Sequence, residues 1–97
     1  VPVSRVHTVI YSGASVAPAS LVIRAGDAVR FRNEGSSEVW PASDPYPSHA
    51  QCPGFDAKRG LRTGEEYTLT FSTAKTCNYH SHLDSSNSAL RGTIIVQ

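Results

Sequence analysis

The stretch Pro18-Ala19-Ser20-Leu21-Val22-Ile23-Arg24-Ala25-Gly26-Asp27-Ala28-Val29-Arg30-Phe31-Arg32-Asn33 carries the fold. Leu21 and Ile23 alternate with other residues up to Ala25-Gly26-Asp27, and Val29 and Phe31 resume the alternation beyond it. Period two on both sides of a Gly-Asp turn predicts strand, turn, strand. Upstream, Arg5 to Tyr11 is a β-branched run of strand length, with Val6, Thr8 and Ile10 on one face and His7, Val9 and Tyr11 on the other. Downstream, three further runs keep the same period: Tyr67, Leu69 and Phe71, then Thr76 to His80, then Thr93 to Val96 after Gly92. No segment has a helical period. About six short strands with long connections describe an all-β, Greek-key β-sandwich better than a closed barrel.

Ninety-seven residues suffice for one domain, 1–97, and a 39% hydrophobic share allows one modest core. Nine Lys and Arg against eight Asp and Glu are interspersed and leave +1, so the chain lacks the charge footprint of a nucleic-acid binder. No apolar run approaches the roughly 20 residues of a membrane-spanning helix. The chain begins at Val1 without an initiator Met or an apolar leader, the pattern of a processed or trimmed chain.

Residues 33–65 form a long stretch holding four of the six prolines and two neighbouring aromatics, Trp40 and Tyr46. A connection of that length in a small domain is expected to be functional and tied down. The two cysteines, Cys52 and Cys77, fit neither a zinc-finger spacing nor a Cys-x-x-Cys redox pair. A disulfide between them is the simplest use, with two separate buried thiols as the other. A disulfide would place the protein in an oxidising compartment, secreted or periplasmic.

Three of the four histidines, His49, His80 and His82, lie in the second half. In an extended chain, residues two apart share a face at roughly 6 to 7 Å. His80 and His82 can therefore converge on one metal, and His49 from the long loop would make a three-nitrogen set with an open position, suited to Cu(II) or Zn(II). His-x-His is also compatible with two solvated histidines at a strand end.

Context adds a resemblance. The opening stretch resembles the "P-x-x-L-x-I-x-x-G-D-x-V-x-F-x-N" strands of the cupredoxin family. Thr76-Cys77-Asn78-Tyr79-His80-Ser81-His82, followed by Leu90-Arg91-Gly92-Thr93-Ile94-Ile95-Val96, resembles that family's ligand-bearing strand, its loop and its closing strand. A similar "Y-H-S-H" segment supplies histidines to the non-blue coppers of multicopper oxidases, which are built from cupredoxin domains. Trp40-Pro41-Ala42-Ser43-Asp44-Pro45-Tyr46-Pro47-Ser48-His49, with Pro53-Gly54-Phe55-Asp56 after it, is similar to a stretch of some small cupredoxin-like proteins. That resemblance implies that His49 is brought to the His80-Ser81-His82 end of a cupredoxin-like sandwich.

The departures are equally informative. By the same alignment Ser81 stands where a blue-copper member has its Cys ligand, the chain has no Met for an axial thioether, and Val39, Trp40 and Pro41 stand where the family's early histidine falls. Cys77 shares a strand face with Tyr79 and Ser81, opposite His80 and His82, and is read as the core-side partner of Cys52. The implied cofactor is copper held by His49, His80 and His82 in a non-blue, type 2-like site. Asp44 and Asp56 are candidates to orient a ligand imidazole, and Trp40 is a candidate to wall the site from water. Solvated carboxylates, a turn cap at Asp56 and a packed core Trp40 are the plainer alternatives.

Three functions compete. The first is a copper-binding module for storage, delivery or electron transfer with a redox or copper-delivery partner, pale in colour, binding less well as imidazoles protonate. The second is a small copper redox enzyme acting on an oxygen species, for which the sequence supplies no dedicated proton donor. The third is a metal-free structural or interaction sandwich.

Overall fold

The computed structural model describes residues 5–12, 15–44, 51–52, 54–84 and 87–97. Among the described residues, eight strands run in the order β1 Val6–Ser12, β2 Ser15–Ala17, β3 Ser20–Ile23, β4 Ala28–Asn33, β5 Pro41–Ser43, β6 Glu66–Thr70, β7 Lys75–Ser81 and β8 Gly92–Val96. Short 3-10 turns cover His82–Asp84 and Ser88–Leu90. The strands form two four-stranded sheets, ordered β2-β1-β4-β6 and β3-β8-β7-β5. Both sheets are mixed: β1 runs parallel to β4 and β3 parallel to β8, while the remaining pairs are antiparallel. The chain crosses between sheets after β2, β3, β4, β5 and β6, so this is an all-β sandwich with Greek-key connections.

The turn at Ala25-Gly26-Asp27 is built as its residues dictate. Gly26 sits at φ 98°, a region that favours glycine. Asp27 closes the turn: its carboxylate accepts from the backbone amides of Arg5 and Arg24, and Nε2 of His7 lies 3.0 Å from its Oδ2. One side chain thus ties the entry of β1 to the β3–β4 turn. The His7 contact first, then the two amides, hold the Asp27 carboxyl down to about 2 against an ordinary 3.8. The unfolded chain therefore takes up this proton at a higher pH than the folded one. The stabilisation is present above about pH 4 and is lost as pH falls through about 2. We predict that Asp27→Asn flattens the pH dependence of stability across that window in acid-unfolding curves; an unchanged slope would show that other carboxylates set it.

The core is aromatic and spans both sheets. Phe31 of β4 meets Tyr79 of β7 edge to face, with ring centroids 5.4 Å apart, and Phe55 packs on both at 5.2 and 5.5 Å. Such pairs contribute about 0.5–1.5 kcal/mol each beyond burial. Phe55 belongs to the long mid-chain connection, so that connection is anchored in the core at one end. It is also folded on itself by the bridges Val39↔Leu61 and Ala42↔Asp56, the second of which reaches β5. Asn33, at the end of β4, donates through Nδ2 to the carbonyls of Ser37 and Leu61 and accepts from the Gly35 amide. Gly92, opposite Tyr79 in the β7–β8 pair, leaves no room for a Cβ, because the Tyr79 ring lies against it.

The expected faces hold on β7. Cys77, Tyr79 and Ser81 point inward and are buried. Cys52 and Cys77 are joined by a disulfide across 25 positions of sequence, so the separate-thiol alternative is set aside.

Candidate metal centre

β7 ends beside β5, with Ala42 opposite His80 and Pro41 opposite Ser81. This pairing brings the mid-chain connection alongside the His-Ser-His segment. His80 lies on the sheet face away from the core, yet it is fully buried. Its Nδ1 is 2.6 Å from Oδ1 of Asp44, 36 positions earlier in the chain. A carboxylate accepts, so in the neutral imidazole Nδ1 carries the proton and Nε2 bears the lone pair. Nε2 is itself a buried atom.

His82 departs from the expected extended geometry. It opens the 3-10 turn His82–Asp84, although its amide still donates to the Trp40 carbonyl at 2.7 Å, the next rung of the β5–β7 register. The imidazole nevertheless stays on the same side as His80, with ring centroids 6.2 Å apart. The Trp40 ring packs against the His82 ring at 4.6 Å with a tilt of 32°.

Trp40 is fixed at three further points. Its backbone amide donates to Ser81 Oγ at 3.1 Å, its carbonyl receives the His82 amide, and its indole N–H donates to Asp56 Oδ1 at 2.6 Å. Asp56 also accepts from the Lys58 amide, so it is both a turn cap and a clamp on the indole. Of the candidate supporting residues, Asp44 contacts a histidine directly, Trp40 walls His82, and Asp56 holds Trp40.

His49 and its neighbours 45–50 lie outside the described residues. The ends of that segment are described, and both are fastened to β7. Asp44 donates its amide to the Asn78 carbonyl. Gln51 accepts from the Asn78 amide through Oε1 at 2.7 Å and from Lys75 Nζ through its carbonyl at 2.6 Å. The Gln51 amide donates to the Asp44 carbonyl, and the Cys52 amide to Ser43 Oγ. The roles of Gln51 and Lys75 carried no sequence signal, since a polar loop residue and a strand lysine are ordinary surface features. Among the described residues alone, no three His, Cys, Asp or Glu side chains gather as a metal-binding group. Both cysteines of the chain are in the disulfide, so neither sulfur is a free thiolate.

Among the described residues, no helix is long and apolar enough to cross a membrane. No family model matches the chain, and no curated protein matches it. Solved structures do. A Cu(I) form of an amicyanin variant is similar at a TM-score of 0.79 with 20% identity, covering 95% of this chain and 82% of that one. A purple cupredoxin from Nitrosopumilus maritimus is similar at 0.77 with 17% identity, covering 94% and 99%. A copper-containing nitrite reductase from Thermus scotoductus SA-01 is similar at 0.76 with 25% identity over all of this chain, which spans 23% of the reductase. With two four-stranded sheets, these connections and these neighbours, the chain has the cupredoxin fold.

Proposed function

We propose that this chain is a copper-binding cupredoxin-like protein that holds a non-blue, type 2-like copper through His49, His80 and His82, for copper storage, delivery or electron transfer. The observation that carries the reading is the Asp44 carboxylate on His80 Nδ1. It leaves Nε2 as the ligating nitrogen, in a buried position with the His82 imidazole alongside. The donor set is one of imidazoles: the disulfide occupies both sulfurs, the chain has no Met, and Ser81 Oγ is engaged by the Trp40 amide. Imidazole donors suit Cu(II) and do not produce the intense thiolate colour of a blue site.

His49 joins the set by chain reach. It stands two positions before Gln51, which limits their Cα separation to about 7 Å. Gln51 is itself hydrogen-bonded to β7 two residues before His80. Asp44 fixes the tautomer and ring direction of His80, Trp40 shields one face of His82, and Asp56 keeps the indole in place. When bound, copper supplies a one-electron couple. The similar solved structures are copper proteins by name, which favours this metal over zinc. The disulfide favours an oxidising compartment, secreted or periplasmic, where a redox or copper-delivery protein would be the partner.

Trp40 is the only tryptophan in the chain and packs on His82, so it reports on the site. Cu(II) titrated into the protein should quench its fluorescence with an end point at one equivalent. The double variant His80→Ala, His82→Ala should show no saturable quenching. Equal quenching in both proteins would place copper elsewhere and favour a metal-free structural role for the sandwich.

A further inference from the structure

A cavity of about 200 Å³ opens beside the disulfide and is lined by Cys52, Cys77, Phe55, Phe71 and Lys75, among others. Cys52 is 6% exposed and Cys77 1%, so Cys52 is the less deeply buried residue of the two. Lys75 also lines the cavity, with its ammonium hydrogen-bonded to the Gln51 carbonyl, and a cation close by favours an incoming thiolate. The same disulfide pins the far end of the segment 45–50. Cys52 is three residues beyond His49, and Cys77 is three residues before His80.

We propose that the Cys52–Cys77 bond is a thiol-exchange site whose opening by a dithiol reductant lowers copper affinity. The second half of this statement rests on the copper reading above. A thiolate of the dithiol attacks Cys52 Sγ through the cavity, the Cys52–Cys77 bond breaks, and Cys77 leaves as a thiolate. The second thiol of the reductant then attacks its own sulfur in the mixed disulfide and releases Cys52. The reductant ends as a disulfide, and its two thiol protons end on Cys52 and Cys77. β5 still holds Asp44 to β7 through backbone pairing, so the His80 side of the site persists. Gln51 and Cys52 lose their covalent anchor, and with it the end of the chain that returns from His49.

The first arm of the test needs no copper. The native metal-free protein is treated with dithiothreitol in low, sub-denaturing urea, and thiols are counted by alkylation and mass spectrometry. The proposal expects a rate first order in dithiothreitol and insensitive to urea. A rate that climbs with urea in step with the unfolded population would overturn it, because reduction would then require unfolding. The reduced protein should lose amide-exchange protection at Gln51 and Cys52 while the β7–β8 amides keep theirs; protection retained at Gln51 and Cys52 would also overturn it.

The second arm uses Cys52→Ser, Cys77→Ser, which opens the link without thiols that would themselves bind or reduce Cu(II). Cys52→Ala, Cys77→Val replaces it should the serine pair not fold. By Trp40 quenching, Cu(II) should bind at least tenfold more weakly than to the native protein, and affinity within twofold of native would overturn the coupling. Failure of the native protein to bind Cu(II) at all would sink the copper reading and the coupling, leaving the exchange site to be decided by the first arm.

Discussion

Asp44→Ala should weaken Cu(II) binding about ten- to a hundredfold, the usual effect of removing the group that orients a ligand imidazole. The cause is local. Without the carboxylate 2.6 Å from Nδ1, His80 can place its proton on either nitrogen and its ring can turn. Nε2 is then a lone-pair donor for only part of the time. Asp44→Asn keeps an acceptor oxygen and should recover part of the loss. Competition against a chelator of known affinity measures both. A residue that merely packs would give equal losses for Ala and Asn and would leave the His80 nitrogen chemical shifts unchanged, whereas a tautomer change moves them.

Removing the disulfide should cost about 3.5 kcal/mol of stability. This follows from the loop-closure entropy that a link across 25 positions removes from the unfolded chain. In a domain of this size the corresponding fall in Tm is roughly 15 to 25 °C. The loss is large beside the net stability of a small domain, so the measurement belongs in denaturant melts at low temperature, native against Cys52→Ser, Cys77→Ser. A loss under about 1 kcal/mol would mean that the connection is held by its other anchors, such as Phe55 in the core and the Gln51 and Lys75 hydrogen bonds.

How much of this was legible in the sequence depends on how local each cause is. Pro18 to Asn33 fixed its own strands and turn, because alternation and a Gly-Asp pair act within a few residues. β2 and β5 carry no such signal: each is three residues long and exists because a longer neighbour pairs with it. The 3-10 turn at His82 likewise has no periodic signature in the sequence. The disulfide partners were legible by elimination among two cysteines, aided by the face that Cys77 shares with Tyr79.

The candidate site divides similarly. His80 and His82 were visible as a pair by spacing. The bond from Asp44 spans 36 positions and has no periodic signature, so from sequence that residue was one acidic loop position among several. Asp56 looked equivalent to it and proved to serve the indole of Trp40 instead. Ser81 was notable only as a missing thiolate, whereas its hydroxyl accepts the Trp40 amide and helps align β7 with the residue that walls the site.

The central claim is a histidine-held, non-blue copper, and electron paramagnetic resonance of the protein with one equivalent of Cu(II) tests it most directly. The account predicts a large parallel hyperfine splitting with nitrogen structure and a pale solution. A small parallel splitting with intense visible absorption would contradict it, for that signal requires a thiolate, and the Cys52–Cys77 disulfide leaves none.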